Sequence, residues 1–235
     1  MINKIIAKLF SFIDDSRNTD INRIKKDGLT YLSKDALIEM KKTISRIESK
    51  RIPGIFIETG CALGGSALVI SLNKKTERNF FVYDVFGMIP PPSQMDGKDV
   101  LERYEIIKSG RSQGINKKKY YGYEEDLKTK VENTLNRYGV DINANNVKLI
   151  EGLYENTLKI NEKVAFAHID CDWYESVMTC LVQIAPNLSK EGVIIIDDYY
   201  SWSGCKKATD EYFISRSKEF HLFNKAGKLH VERID

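Results

Sequence analysis

At 235 residues the chain is long enough for one α/β domain with a full core and short for two. Apolar residues make up 42% and charged residues 29%, the composition of a globular protein, and 36 basic against 33 acidic side chains leave a net charge of only +3. So small an excess gives no electrostatic footprint for nucleic acid or an anionic membrane as partner.

The elements read as follows in chain order. Near the start, Ile5, Ile6, Leu9, Phe10 and Ile13 follow helical spacing around Lys8. No long apolar core or small-residue cleavage site follows, so the segment does not read as a signal peptide. No stretch reaches the roughly 18 apolar residues of a membrane-spanning helix. Such a helix packs on its own domain or on a second subunit, the latter making a homo-oligomer; a membrane-surface position is the other reading. Residues 1–50 thus form an N-terminal helical segment, with Ser33 placed to cap a second helix that Pro53 and Gly54 end.

Strands and helices then alternate: GIFIE, a glycine turn with SALVISL, NFFVYD, EDLKTKVENTLNRY, VKLIE, VAFAHID, YESVMTCLVQIAPNL, GVIIID and CKKATDEYFISRS. This order implies βαβ units in one α/β domain spanning residues 1–235, with a mostly parallel, doubly wound sheet. The tail, FHLFN-KAG-KLHVERI, reads as a β-hairpin that adds an antiparallel strand. Residues 86–123 interrupt the pattern. PPPS at 90–93 prohibits helix and ladder pairing there, and KSGRSQGINKKKYYGY is glycine-broken, basic and aromatic, with no apolar stripe. The insert is expected to be irregular and to act as a lid that orders over ligands; a solvated loop without that role is the alternative. The cysteines, Cys61, Cys171, Cys180 and Cys205, lack CxxC or zinc spacing and read as reduced thiols of a cytoplasmic protein.

Ligands of open α/β sheets bind beyond the carboxyl ends of the strands. Five predicted strands end on or beside acids: Glu58, Asp84, Glu151, Asp170 and Asp197. After the first comes ETGCALGGS, whose GxxxGG spacing is neither the dinucleotide GxGxxG nor a P-loop. Its glycines let backbone approach a ligand, and Asp84, about twenty residues on, stands where an acid accepts both ribose hydroxyls. Together they suggest a cofactor containing a nucleoside. HIDCDWYES and the pair Asp197-Asp198 put four aspartates at two strand ends. At about 4 Å and an effective dielectric near 20, two such charges repel by about 4 kcal/mol. One of Asp170 and Asp172 could cap the next helix, but a cap does not explain four. Oxygen-only ligands favour a hard cation such as Mg²⁺. His168, inside an apolar strand, reads as a core histidine, with metal ligation the other reading.

FIETGCALGGS, VYDVFGMIPPP, VKLIEGLYENTL, HIDCDWYES and LSKEGVIIIDDYYSWSGCKKATDEY together resemble the macrocin, mycinamicin and novobiocin-pathway sugar O-methyltransferases. The resemblance implies a Rossmann-like class I methyltransferase fold, S-adenosylmethionine as cofactor and a bound Mg²⁺. It implies Asp170, Asp197 and Asp198 as metal ligands and Asp172 as general base. It assigns the cofactor to Glu58, Gly60, Ser66 and Asp84, with Gly152 and Tyr154 near its adenine or methionine portion. The acceptor would be a small molecule or glycan bearing a sugar hydroxyl. Where the family commonly carries an aromatic and a basic residue in the glycine turn, this chain has Cys61-Ala62-Leu63. Two other readings remain, a catechol-type phenol methyltransferase and a non-catalytic nucleoside-binding protein of the same fold. A nicotinamide oxidoreductase lacks the glycine spacing.

Overall fold

The computed structural model describes residues 18–235, so the predicted first helix lies outside the described residues. Helices α1 (Thr19–Asp27) and α2 (Lys34–Ser49) come first, and Ser33 caps α2 by accepting from the Ala36 amide at 3.1 Å. The alternation then runs β1 (Ile55–Thr59), α3 (Gly65–Asn73), β2 (Phe80–Asp84), α4 (Lys98–Lys108), α5 (Leu127–Arg137), β3 (Val147–Glu151) and a one-turn α6 (Tyr154–Thr157). It closes with β4 (Val164–Ile169), α7 (Tyr174–Ile184), β5 (Leu188–Ile196), α8 (Ser203–Phe213), β6 (Phe220–Lys225) and β7 (Lys228–Arg233).

The seven strands form one sheet in the order β3-β2-β1-β4-β5-β7-β6. The first five are parallel; β7 runs antiparallel to β5, and β6 antiparallel to β7. Ala226 and Gly227, both at positive φ (52° and 77°), make the two-residue turn of the hairpin. Every residue of β1 and β4 is buried, because helices cover both faces, which is why these strands read as mostly apolar runs interrupted only near their ends by Glu58, Thr59 and His168. On one face Phe56, Phe166, Val193 and Ile195 pack under α1, α2, α3 and α5. On the other, Ile57, Ala167, Ile169, Ile194 and Ile196 pack under α7 and α8. Strand order reverses between β1 and β4, so their carboxyl ends open the crevice where such sheets bind ligands.

The insert is more regular than its sequence suggests. It contains α4, whose Val100, Tyr104 and Ile107 make a stripe against Ile89, Tyr120 and Trp173. Charged residues between these positions hide the stripe in KDVLERYEIIK.

In β7, His230 is 2% exposed and stacks on Phe223 with ring centroids 5.4 Å apart. Burial holds its pKa down at about 4 against an ordinary 6.5, although nearby Glu39 opposes the shift. Between those values an unfolded chain binds a proton that the native one excludes, so His230 costs stability as pH falls from 6.5 toward 4. The full cost is about 3 kcal/mol at 1.36 kcal/mol per pH unit. His230→Phe should therefore flatten the pH dependence of unfolding free energy in that window, measured by denaturant titration. An unchanged slope would contradict the assignment.

Candidate active site

The carboxyl end of β1 turns sharply through Gly60, at φ +85°. A Cβ there would stand 1.9 Å from the Asp170 carbonyl, so only glycine lets the turn lie against the end of β4. At the end of β2, Asp84 accepts from the Cys61 amide (2.8 Å) on one oxygen and from the Phe86 amide (2.7 Å) on the other. Burial pushes its carboxyl up, and those amides work against the shift. Gly152, following β3, donates its amide to the Asp84 carbonyl at 3.0 Å. These bonds fix the glycine turn and three strand ends as one rigid rim.

Beside it stand the four aspartates. The Asp170 amide donates to the Thr59 carbonyl (2.8 Å) and the Asp197 amide to the Ile169 carbonyl (2.9 Å), so β1, β4 and β5 carry the acids in register. Burial, then the charges of Asp197, Asp198 and Asp172, push the Asp170 carboxyl well up. Burial and then Asp198 do the same to Asp172, while a hydrogen bond from Trp202 works the other way. Asp198 is raised by burial and by Asp197, while the neighbouring Asp170 and Asp172 carboxyls and Lys228 work the other way. Asp197 behaves differently. Burial pushes it up, but His168 and Lys228 outweigh burial and hold it below the ordinary range.

Those partners answer part of the repulsion. Lys228 Nζ lies 2.6 Å from one Asp197 oxygen, and His168 Nε2 lies 3.8 Å from the other. His168 Nδ1 meets Glu58 Oε1 at 2.9 Å, with both side chains fully buried. Burial pulls the His168 pKa down, yet the Asp197 and Glu58 carboxylates beside it raise it to about 9. Glu58, His168, Asp197 and Lys228 thus make a row of ionisable side chains across β1, β4, β5 and β7. Ligand atoms of His168, Asp170 and Asp197 lie within 4.8 Å of one another, a spacing that suits a cation. His168 turns Nδ1 to Glu58 at 2.9 Å, while the aspartates offer oxygen donors. The carboxylate chemistry fits a hard divalent ion, and among the described residues buried Asp197 Oδ1 and Asp198 Oδ2 have no hydrogen-bond partner.

Gly60, Ser66, Asp84, Tyr154 and all four aspartates line one cavity of about 570 Å³. Glu58 and Gly152 do not: Glu58 lies beneath the floor against His168, and Gly152 supports the rim. The cavity also has aromatic lining, Tyr120 and Tyr121 from the insert together with Trp173 and Trp202. Trp173 and Trp202 meet edge to face at 5.8 Å.

Several site-shaping residues left no sequence signal. The helix after HIDCDWYES is capped by neither Asp170 nor Asp172, because Asp96 from the insert accepts from the Tyr174 amide at 2.8 Å. The other Asp96 oxygen accepts from the Ser93 amide at 2.9 Å. Asp99 accepts from the Ser203 amide at 2.9 Å, so the insert grips the first turns of both α7 and α8. Asp96→Ala leaves the buried Tyr174 amide and the half-buried Ser93 amide unpaired and should cost about 2–4 kcal/mol, about 1–3 kcal/mol of it from the buried donor. Chemical denaturation would show it; a loss below about 1 kcal/mol, an ordinary cap's worth, would mean that Asp96 is not a double anchor.

This sheet order, with a glycine turn and acids at the strand ends, defines a class I methyltransferase fold. The O-methyltransferase NovP has it with a TM-score of 0.72 at 21% identity, over 88% of this chain and 83% of that one. The calicheamicin methyltransferase CalS11 follows at 0.60 and 14%, over 92% of both chains. The sequence profile of the macrocin-O-methyltransferase (TylF) family matches residues 3–222, and the chain belongs to that family. It is 24% identical over 213 residues to demethyldecarbamoylnovobiocin O-methyltransferase of Streptomyces niveus, covering 86% of this chain and 76% of the relative. It is 25% identical over 189 residues to 8-demethyl-8-(2,3-dimethoxy-alpha-L-rhamnosyl)-tetracenomycin-C 4'-O-methyltransferase of Streptomyces olivaceus, covering 78% and 67%. The protein is an S-adenosylmethionine-dependent O-methyltransferase. No described helix is long and apolar enough to cross a membrane, and the four cysteines are free and buried.

Proposed function

We propose that the enzyme methylates a sugar hydroxyl on a small molecule or glycan with the help of Mg²⁺. The observation that carries this reading is the convergence of four aspartates with the glycine turn in one cavity. The rhamnosyl 4'-O specificity in the name of the Streptomyces olivaceus relative supports a sugar acceptor. S-adenosylmethionine supplies the electrophilic methyl group, and a divalent ion held by Asp170, Asp197 and Asp198 supplies the charge that lowers the pKa of an acceptor hydroxyl.

The protein's own groups do the rest. Gly60, Ser66, Asp84 and Tyr154 bind the cofactor in the cavity, while Glu58 and Gly152 act from beneath and beside it. Each Asp84 oxygen already accepts one amide and keeps lone-pair capacity for a ribose hydroxyl. Lys228 and His168 keep Asp197 ionised in its ligating position. Asp172 takes the proton of the attacking hydroxyl as the new O–C bond forms. Trp173, Trp202 and the insert exclude water and offer flat aromatic faces to a sugar ring.

A mass-spectrometric screen with S-adenosylmethionine and Mg²⁺ should show a gain of one methyl on a glycoside or nucleotide sugar. Methylation confined to catechols in the same screen would overturn the sugar reading.

A further inference from the structure

The acidic cavity has one basic lining residue among the described residues, Arg103, facing seven lining carboxylic acids. It lies on α4, three residues after the buried Val100 and four before the buried Ile107, and therefore on the helix face turned to the cavity. A guanidinium directed inward is costly unless its donors are satisfied. Among the described residues it meets one neutral hydroxyl, Ser112 Oγ at 2.9 Å from Nη2, and the Tyr120 ring at 5.7 Å. No lining carboxylate pairs with it among the described residues. Tyr120 packs with Val100 and Ile107 of α4 and with Trp173, the residue after Asp172, which connects the wall carrying Arg103 with the strand end that bears Asp172. Gly60, Ser66 and Asp84 line the same cavity from the end of β1, the first turn of α3 and the end of β2.

We propose that Arg103 is a specificity residue that holds an anionic group carried by the sugar acceptor. This deepens the sugar O-methyltransferase reading and rests on it. A phosphate of an activated sugar and the carboxylate of a uronic acid share the needed chemistry, two oxygens matching the guanidinium fork. Held at that end, the acceptor would present its hydroxyls to the aspartates at the other.

The test uses wild type, Arg103→Lys and Arg103→Met, each titrated calorimetrically in Mg²⁺ buffer. The probes, added to protein saturated with S-adenosylhomocysteine, are a nucleoside diphosphate sugar, a sugar 1-phosphate, a uronic acid and the neutral methyl glycoside. S-adenosylmethionine is titrated separately. Wild type should bind an anionic probe about tenfold or more tighter than the neutral glycoside, as expected for a hydrogen bond between charged groups. Arg103→Met should lose that margin, Arg103→Lys should keep part of it, and affinity for S-adenosylmethionine should stay within about threefold. The better anionic probe identifies phosphate or carboxylate as the source. Equal affinity of wild type for neutral and anionic probes would overturn the proposal. So would a large loss of S-adenosylmethionine affinity in Arg103→Met, which would assign Arg103 to the cofactor carboxylate. Selective anion binding that depends on Arg103, without methyl transfer to any sugar, would support Arg103 as the anion holder while contradicting the methylation reading.

Discussion

Asp172→Asn should lower kcat by about 10²- to 10⁴-fold, the range for loss of a general base. Affinity for S-adenosylmethionine and for Mg²⁺ should change little, since Asp172 is assigned to neither. The substitution is structurally mild for two reasons. Asp172 has a left-handed backbone at φ 60°, a conformation asparagine adopts readily. The α7 cap belongs to Asp96, so no helix end is released. A melting curve should therefore scarcely move while turnover collapses. Partial recovery at high pH is also expected, because an acceptor hydroxyl can then lose its proton to solvent. Near-normal turnover would end the assignment of Asp172 as base.

Asp170→Asn should behave in the opposite way on binding. It removes one carboxylate from the set around Asp197 and Asp198 and should abolish stabilisation by Mg²⁺. A ligand at 100 times its Kd raises stability by about 2.7 kcal/mol, enough to shift the melting temperature of wild type visibly. The variant's melting temperature should not respond to Mg²⁺. Without the ion, Asp170→Asn should be at least as stable as wild type, because burial and three neighbouring aspartates already disfavour the charged form of Asp170. A wild-type melting temperature that ignores Mg²⁺, or a variant that still responds fully, would contradict this set of ligands.

Much of the fold is legible in the sequence because covering helices bury both faces of β1, β4 and β5. Their apolar runs end abruptly at Thr59, Asp170 and Asp197, where the sheet meets the crevice. The Ala226-Gly227 turn marks the hairpin just as plainly. The four aspartates are visible because acids at strand ends cannot serve a core. What stays hidden depends on distant contacts. Asp96 and Tyr174 are 78 residues apart in sequence, and Lys228 and Asp197 are 31 apart. Nothing local in MDGKD or KAGKL announces either bond. Helix α4 escapes notice because its inward face mixes Val100 and Ile107 with Arg103, so the stripe that identifies a helix is interrupted by the residue with the most chemical interest. Glu58 shows the limit of reading a strand end by its position alone: it points into the sheet toward His168, and its neighbours in the turn line the cavity.

We propose a divalent ion on the aspartate cluster as the requirement for methylating a sugar hydroxyl. Its most direct test is the rate of transfer of an isotope-labelled methyl group from S-adenosylmethionine to an accepted sugar, measured in excess EDTA and again after Mg²⁺ is restored in excess. Transfer should stop in EDTA and return with Mg²⁺; full transfer in EDTA would contradict a metal-dependent reaction.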